Sequence, residues 1–104
     1  MARRHAPEPR VAESPEAALC RRAWKHRRRG DERRAMLALR DAAHGSEADA
    51  RIWALYGVQC VRAGLLDVAK KALGHAAWLR DRRHEPHKAR ATRGVMARLL
   101  TEAA

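Results

Sequence analysis

The residues of this chain with chemistry to offer are two cysteines, six histidines, three tryptophans and a dense set of arginines. The histidines (His5, His26, His44, His75, His84 and His87) are scattered, and no paired carboxylates or nucleophile motif accompany them. His84 and His87 straddle Pro86, so they do not share one helical face, and neither a metal nor a cofactor is expected. Cys20 and Cys60 lack the spacing of a zinc or redox site and read as reduced thiols inside helices. Cys20 lies among arginines that would lower a thiol pKa, whereas its apolar flanks suit inert packing. An enzyme is therefore not expected. The strongest chemical signal is positive charge beside an aromatic ring: Arg21 to Arg34 holds eight Lys/Arg against Asp31 and Glu32, with Trp24 next to the run Arg27-Arg28-Arg29. Such a stripe suits a phosphate backbone or an acidic peptide, and it also suits a plain solvated helix face.

Composition restricts what can hold these residues. The chain has 104 residues and a formal net charge of +11, enough for one small domain with a modest core. Its apolar residues are mostly Ala, Leu and Val, with no Phe and only Trp24, Trp53, Tyr56 and Trp78 as aromatics. An Ala-rich interior favours closely packed helices. β-branched residues are sparse and no stretch alternates apolar with polar, so sheet is not expected. The charge favours acidic or polyanionic partners, although arginine excess also follows from a GC-rich genome. No apolar run suits a bilayer or a secretory signal, and Glu8, Glu13 and Glu16 count against an organellar leader. A cytoplasmic protein without membrane contact is expected.

Capping chemistry marks the elements. Residues 1–13 carry Pro7 and Pro9 with little to bury and read as a disordered basic tail. Ser14-Pro15-Glu16 opens a first helix with a cap, a proline at its first position and an acid at its positive end. Gly30-Asp31 stops that helix and caps the next, which runs over about 32–44. Ser46, with Asp49 three residues on, resembles a capping box opening a third helix, which Gly64 ends. A fourth helix is expected over about 66–82 and a fifth from Pro86 to Leu100 or beyond.

Shifting the sequence by thirty-four residues lays Ala23, Gly30, Ala35, Leu39 and Ala42 on Gly57, Gly64, Ala69, Leu73 and Ala76 without a gap. The pattern asks for a small residue midway along one helix, a glycine at the turn, and Ala-Leu-Ala at helical spacing in the next. At these residues the chain resembles the tetratricopeptide repeat family of helix-turn-helix units. Trp53, Tyr56-Gly57, Cys60, Gly64, Ala69, Leu73 and Ala76 fall on the family's pattern. In the first unit Leu19, Arg22-Ala23 and His26 depart from it, and the closing proline is replaced by Glu47 and Asp81. The resemblance implies an all-α, antiparallel helical solenoid over residues 14–104, with units at about 16–49 and 50–83 and a capping helix at about 86–103. It also puts Ala91 at the next small position, with Val95, Met96, Leu99 and Leu100 covering the last pair.

In this family the first helices of successive units line a concave groove. The resemblance therefore implies that Cys20, Trp24, Arg27, Arg28, Arg51, Ala54, Val58, Val61, Arg62, Lys88, Thr92 and Val95 face such a groove. Trp24 reads either as an aromatic anchor for a peptide or as packing against the N-terminal segment or the fifth helix. Trp53 and Tyr56 fall on core positions, and Trp78 is expected to seal the joint with the fifth helix. Cys20, Trp24 and Leu55 stand where a carboxylate-clamping member carries Lys and Asn, which disfavours that mode. The expected function is a scaffold or adaptor whose groove binds an acidic or amphipathic protein segment. Nucleic-acid binding through Arg-rich faces is the alternative, and self-association through an open repeat end is a third reading, because such arrays need about three units for stability.

Overall fold

The computed structural model describes residues 13–103; of the expected tail, residues 1–12 lie outside them. Five helices follow one another: α1 (Pro15–Arg28), α2 (Glu32–His44), α3 (Ala50–Arg62), α4 (Leu66–Arg82) and α5 (Pro86–Ala103). The described residues contain no strand. Each helix packs antiparallel to the next, giving the neighbouring helix pairs of a helical repeat, and α5 also reaches back to α3.

Local chemistry sets the helix ends. Ser14 accepts from the Ala17 N–H at 3.1 Å and Asp31 from the Arg34 N–H at 3.0 Å, as the cap signals require. The expected box at Ser46 is corrected. Ser46 lies in the connecting turn, where its carbonyl accepts from the Asp49 N–H at 2.9 Å, and Asp49 itself caps α3 through the Ile52 N–H at 3.2 Å. Two acceptor residues three apart leave the choice of cap to the path of the turn. That turn is held from α4: His75 Nε2 donates to the Glu47 carbonyl at 3.2 Å, and Arg83 donates to the Ala48 carbonyl at 2.6 Å.

Three turns share one closure. The N–H groups of Asp31, Leu65 and Glu85 bond back to the carbonyls of His26, Cys60 and Arg80 at 2.9, 2.8 and 2.9 Å. The preceding residue is left-handed each time: Gly30 at φ 78°, Gly64 at φ 80°, and His84 at φ 58°. The first two are glycines, which enter this region without a steric penalty; His84 pays one.

Small residues bring each hairpin together. Ala35, Ala42, Ala43, Ala69, Ala76, Ala77 and Ala89 are all buried, with Leu39 and Leu73 between them. The closest approach is at Gly57, where an added Cβ would lie 2.6 Å from Leu73 Cγ and 3.1 Å from the Leu73 backbone nitrogen. Its counterparts in the first hairpin, Ala23 and Leu39, are buried in one cluster. Ala91, the next in this series, is exposed, because no helix packs on that face of α5. There His87 and Arg90 stand where α3 carries Trp53 and Tyr56, and Arg98 where the turn after α3 carries Gly64, so the face is polar. Trp78 differs from expectation as well. It is 49% exposed and does not seal the α4–α5 joint, since helical spacing places it on a stripe with His75, on which it stacks at 5.7 Å, and Arg82, which lies over its ring at 4.9 Å.

Gly57→Ala is expected to lower stability by about 1 kcal/mol, overpacking outweighing the gain in helix propensity. Gly74→Ala, in a helix with open space around the new Cβ, is expected to raise it by about 0.5–1 kcal/mol. Urea denaturation of both variants checks the contrast, and equal shifts would refute the close-approach account. His84→Gly is expected to add about 0.5–1 kcal/mol by relieving the left-handed turn, read in the same titration.

Candidate functional site

The first helices α1, α3 and α5 carry two adjoining clefts of about 320 Å³ each. Leu39 of α2 floors the first, which is walled by Cys20, Ala23, Trp24 and Arg27 of α1 and by Arg51, Leu55, Val58 and Gln59 of α3, with Arg21 at its rim. Leu73 and Arg80 of α4 floor the second, walled by Arg51, Ala54, Leu55 and Val58 of α3 and by Ala91, Thr92 and Val95 of α5. The clefts are related by the repeat, since Cys20, Trp24, Leu39 and Val58 of the first stand thirty-four residues before Ala54, Val58, Leu73 and Thr92 of the second. The hairpin that buries each central leucine therefore also presents it as a cleft floor.

The groove residues named from the sequence divide into three groups. Cys20, Trp24, Arg27, Arg51 and Val58 line the first cleft; Arg51, Val58 and Thr92 line the second, with Ala54 and Val95. Arg28 lies over the Trp24 ring at 4.7 Å without lining either cleft, covering one face of an indole that is 57% exposed. Val61 packs on the core, Lys88 pairs with Glu85 at 2.8 Å, and Arg62 is held by Glu32. The sequence put Leu55 at a clamp position without counting it among the binding residues, and it did not name Arg80. Leu55 belongs to the stripe Arg51-Leu55-Val58 and separates the two clefts; Arg80 comes from a second helix, outside any count of first-helix positions.

Charge is unevenly placed. The lining of the two clefts includes Arg21, Arg27, Arg51 and Arg80 and no carboxylate. Glu13 occupies Arg21 with bonds of 3.0 and 2.9 Å, while Arg27 and Arg51 form no ion pair among the described residues. Glu16 and Asp49 lie off one end of the groove, near the N-termini of α1 and α3, where helix dipoles favour acids. The Cys20 thiol is pushed up by burial, which outweighs the lowering effect of Arg51, and burial raises Cys60 too, so neither is an activated nucleophile. His44, Trp53, Tyr56 and His75 meet edge to face at 4.6–6.2 Å and line neither cleft. No group of three or more potential metal ligands stands together among the described residues.

A polar joint with Gln59 buried at its base links the two hairpins beside the first cleft. Gln59, only 2% exposed, donates to the Glu32 carbonyl at 2.9 Å and to its carboxylate at 2.8 Å. Arg62 grips the same carboxylate with two parallel bonds of 2.8 and 2.9 Å. These bonds, Arg62 first and Gln59 second, hold the Glu32 carboxyl down at about 2.

The chain matches no family model, no curated protein and no solved structure. Its class rests on its own fold, an all-helical repeat with a cleft in front of each hairpin. No helix among the described residues is long and apolar enough to cross a membrane.

Because Glu32 binds its proton more weakly in the folded chain than in the unfolded one, its contribution is complete above the ordinary glutamate pKa. It is lost as pH falls from about 4.5 through about 2. A carboxyl NMR titration is expected to place the Glu32 midpoint near 2, and E32Q is expected to flatten the acid limb of the stability profile. A midpoint near 4.5 would refute the joint.

Proposed function

We propose that the chain is an adaptor of the tetratricopeptide type that binds an acidic, amphipathic protein segment along the face of α1, α3 and α5. The carrying observation is that both clefts combine an apolar floor with arginines and no lining carboxylate. An apolar floor rewards burial of a side chain, and unpaired guanidiniums select carboxylates and speed encounter with an acidic segment. Trp24 suits the anchor role, as a large, exposed, rigid ring at the mouth of the first cleft. The reading is of a binding module without catalysis. It places the protein in the cytoplasm, which two unpaired thiols suit.

A second reading, nucleic-acid binding, is favoured by Lys25, Arg29 and Arg33, which are exposed around the α1–α2 turn and form no ion pair among the described residues. It lacks a role for the apolar cleft floors, which a phosphate backbone would leave unfilled.

Selection of a displayed random-peptide library on the immobilised full chain is expected to enrich sequences that pair acidic with large apolar residues. The double variant Trp24→Ala, Arg27→Gln is expected to lose them by roughly a hundredfold, with helicity by circular dichroism unchanged. Retained binding in the variant, or no acidic enrichment, would overturn the groove assignment. Tight duplex binding that falls steeply with salt and is indifferent to the double variant would replace it with the second reading.

A further inference from the structure

Arg80 sits in the last turn of α4, outside the row of first helices, yet its side chain reaches the floor of the α3–α5 cleft. One guanidinium nitrogen donates to Thr92 Oγ1, and the Thr92 hydroxyl donates in turn to the Lys88 carbonyl at 2.8 Å. Thr92 is buried and fully used, so it fixes the guanidinium without neutralising it. Arg80 forms no ion pair among the described residues; Glu85, whose charge it feels, is bonded to Lys88 at 2.8 Å. A half-buried guanidinium thus lies among Leu55, Val58, Leu73 and Val95 with no carboxylate in ion-pair contact among the described residues. Its repeat counterpart is Ser46, which lines neither groove cleft, so Arg80 makes the two clefts chemically unequal.

We infer that the segment bound here seats an apolar side chain in the α1–α3 cleft and a carboxylate on Arg80 in the α3–α5 cleft. The assignment rests on the groove reading above and names the partner's chemistry: an extended acidic protein segment, read in register by two unlike clefts. The clefts lie on either side of α3, so about one helix diameter, roughly 10 Å, separates them. A segment in the polyproline II form advances about 3.1 Å per residue and returns a side chain to the same face every third residue, which places the carboxylate about three residues from the apolar group. The donors of Arg80 that Thr92 leaves free suit a carboxylate better than a carboxamide, because a guanidinium offers donors only.

The test uses the full chain and fluorescein-labelled twelve-residue Ser/Gln peptides carrying one Leu and one Glu, with zero to six residues between them. Matched peptides carry Gln in place of Glu. By fluorescence anisotropy the Glu peptide with two intervening residues is expected to bind tightest, and its Gln partner roughly tenfold more weakly. Arg80→Gln is expected to remove that tenfold difference, and Arg80→Lys to restore part of it. If Glu and Gln peptides bind the unaltered chain equally, the Arg80 assignment fails while the groove reading stands, and that result does not depend on any variant folding. If Arg80→Gln weakens both peptides alike, the residue is structural and the assignment also fails. If neither peptide binds, the groove reading itself fails.

Discussion

The approach of α3 to α4 at Gly57 sets the geometry on which the rest of this structure depends. With Leu73 pressed where a Cβ would stand, two helix backbones lie close enough for alanines to fill much of the space between them. That explains how a chain with no phenylalanine and few aromatics forms an interior. The same leucine that closes the hairpin, although fully buried, lies at the base of a cleft. Packing and binding surface are thus consequences of a single spacing. Repetition of that spacing, with Ala23 and Leu39 in the first hairpin, produces the two clefts in series.

Hairpins built this way need something to fix their mutual register, since small residues give close packing with little directional preference. Glu32, Gln59 and Arg62 supply it. Three donors converge on one carboxylate and its backbone carbonyl, across the seam between α2 and α3. Directional, charge-assisted bonds are effective there because Gln59 is buried and its amide would otherwise be unsatisfied. The seam lies beside the first cleft, so the joint also sets the distance between the Trp24 wall and the Val58 wall. On the other face the α2–α3 turn is held by His75 and Arg83. Both sides of the seam are therefore pinned by polar contacts, while the hairpins themselves are held by apolar ones.

The charge of the chain acquires meaning only through this arrangement. Arg21, Arg34, Arg40, Arg62, Lys88 and Arg93 are spent on carboxylates of the same molecule. Arg27, Arg51 and Arg80, which line the clefts, form no ion pair among the described residues, and neither do Lys25, Arg29 and Arg33 around the α1–α2 turn. The three in the clefts carry the proposed reading of carboxylates because they stand beside apolar walls, and charge alone does not single them out.

Helix number, ends and order were legible in the sequence because they follow from local rules. Ser14 and Asp31 cap, Gly30 and Gly64 turn, and Pro86 starts a helix through contacts within a few residues, which spacing along the chain encodes directly. The thirty-four-residue recurrence was legible for the same reason, and the resemblance resting on it pointed to the face where Cys20, Trp24, Arg27, Arg51 and Val58 line a cleft. The sequence alone could not say that Asp49 rather than Ser46 caps α3, that Trp78 turns outward, or that Arg62 and Lys88 are occupied by acids. Nor could it bring Arg80, from the end of a second helix, under Thr92. The Arg62–Glu32 and Arg80–Thr92 contacts depend on distances between atoms far apart in the chain. Only the packed hairpins settle those distances, because local spacing fixes which way a side chain points but not what it meets there.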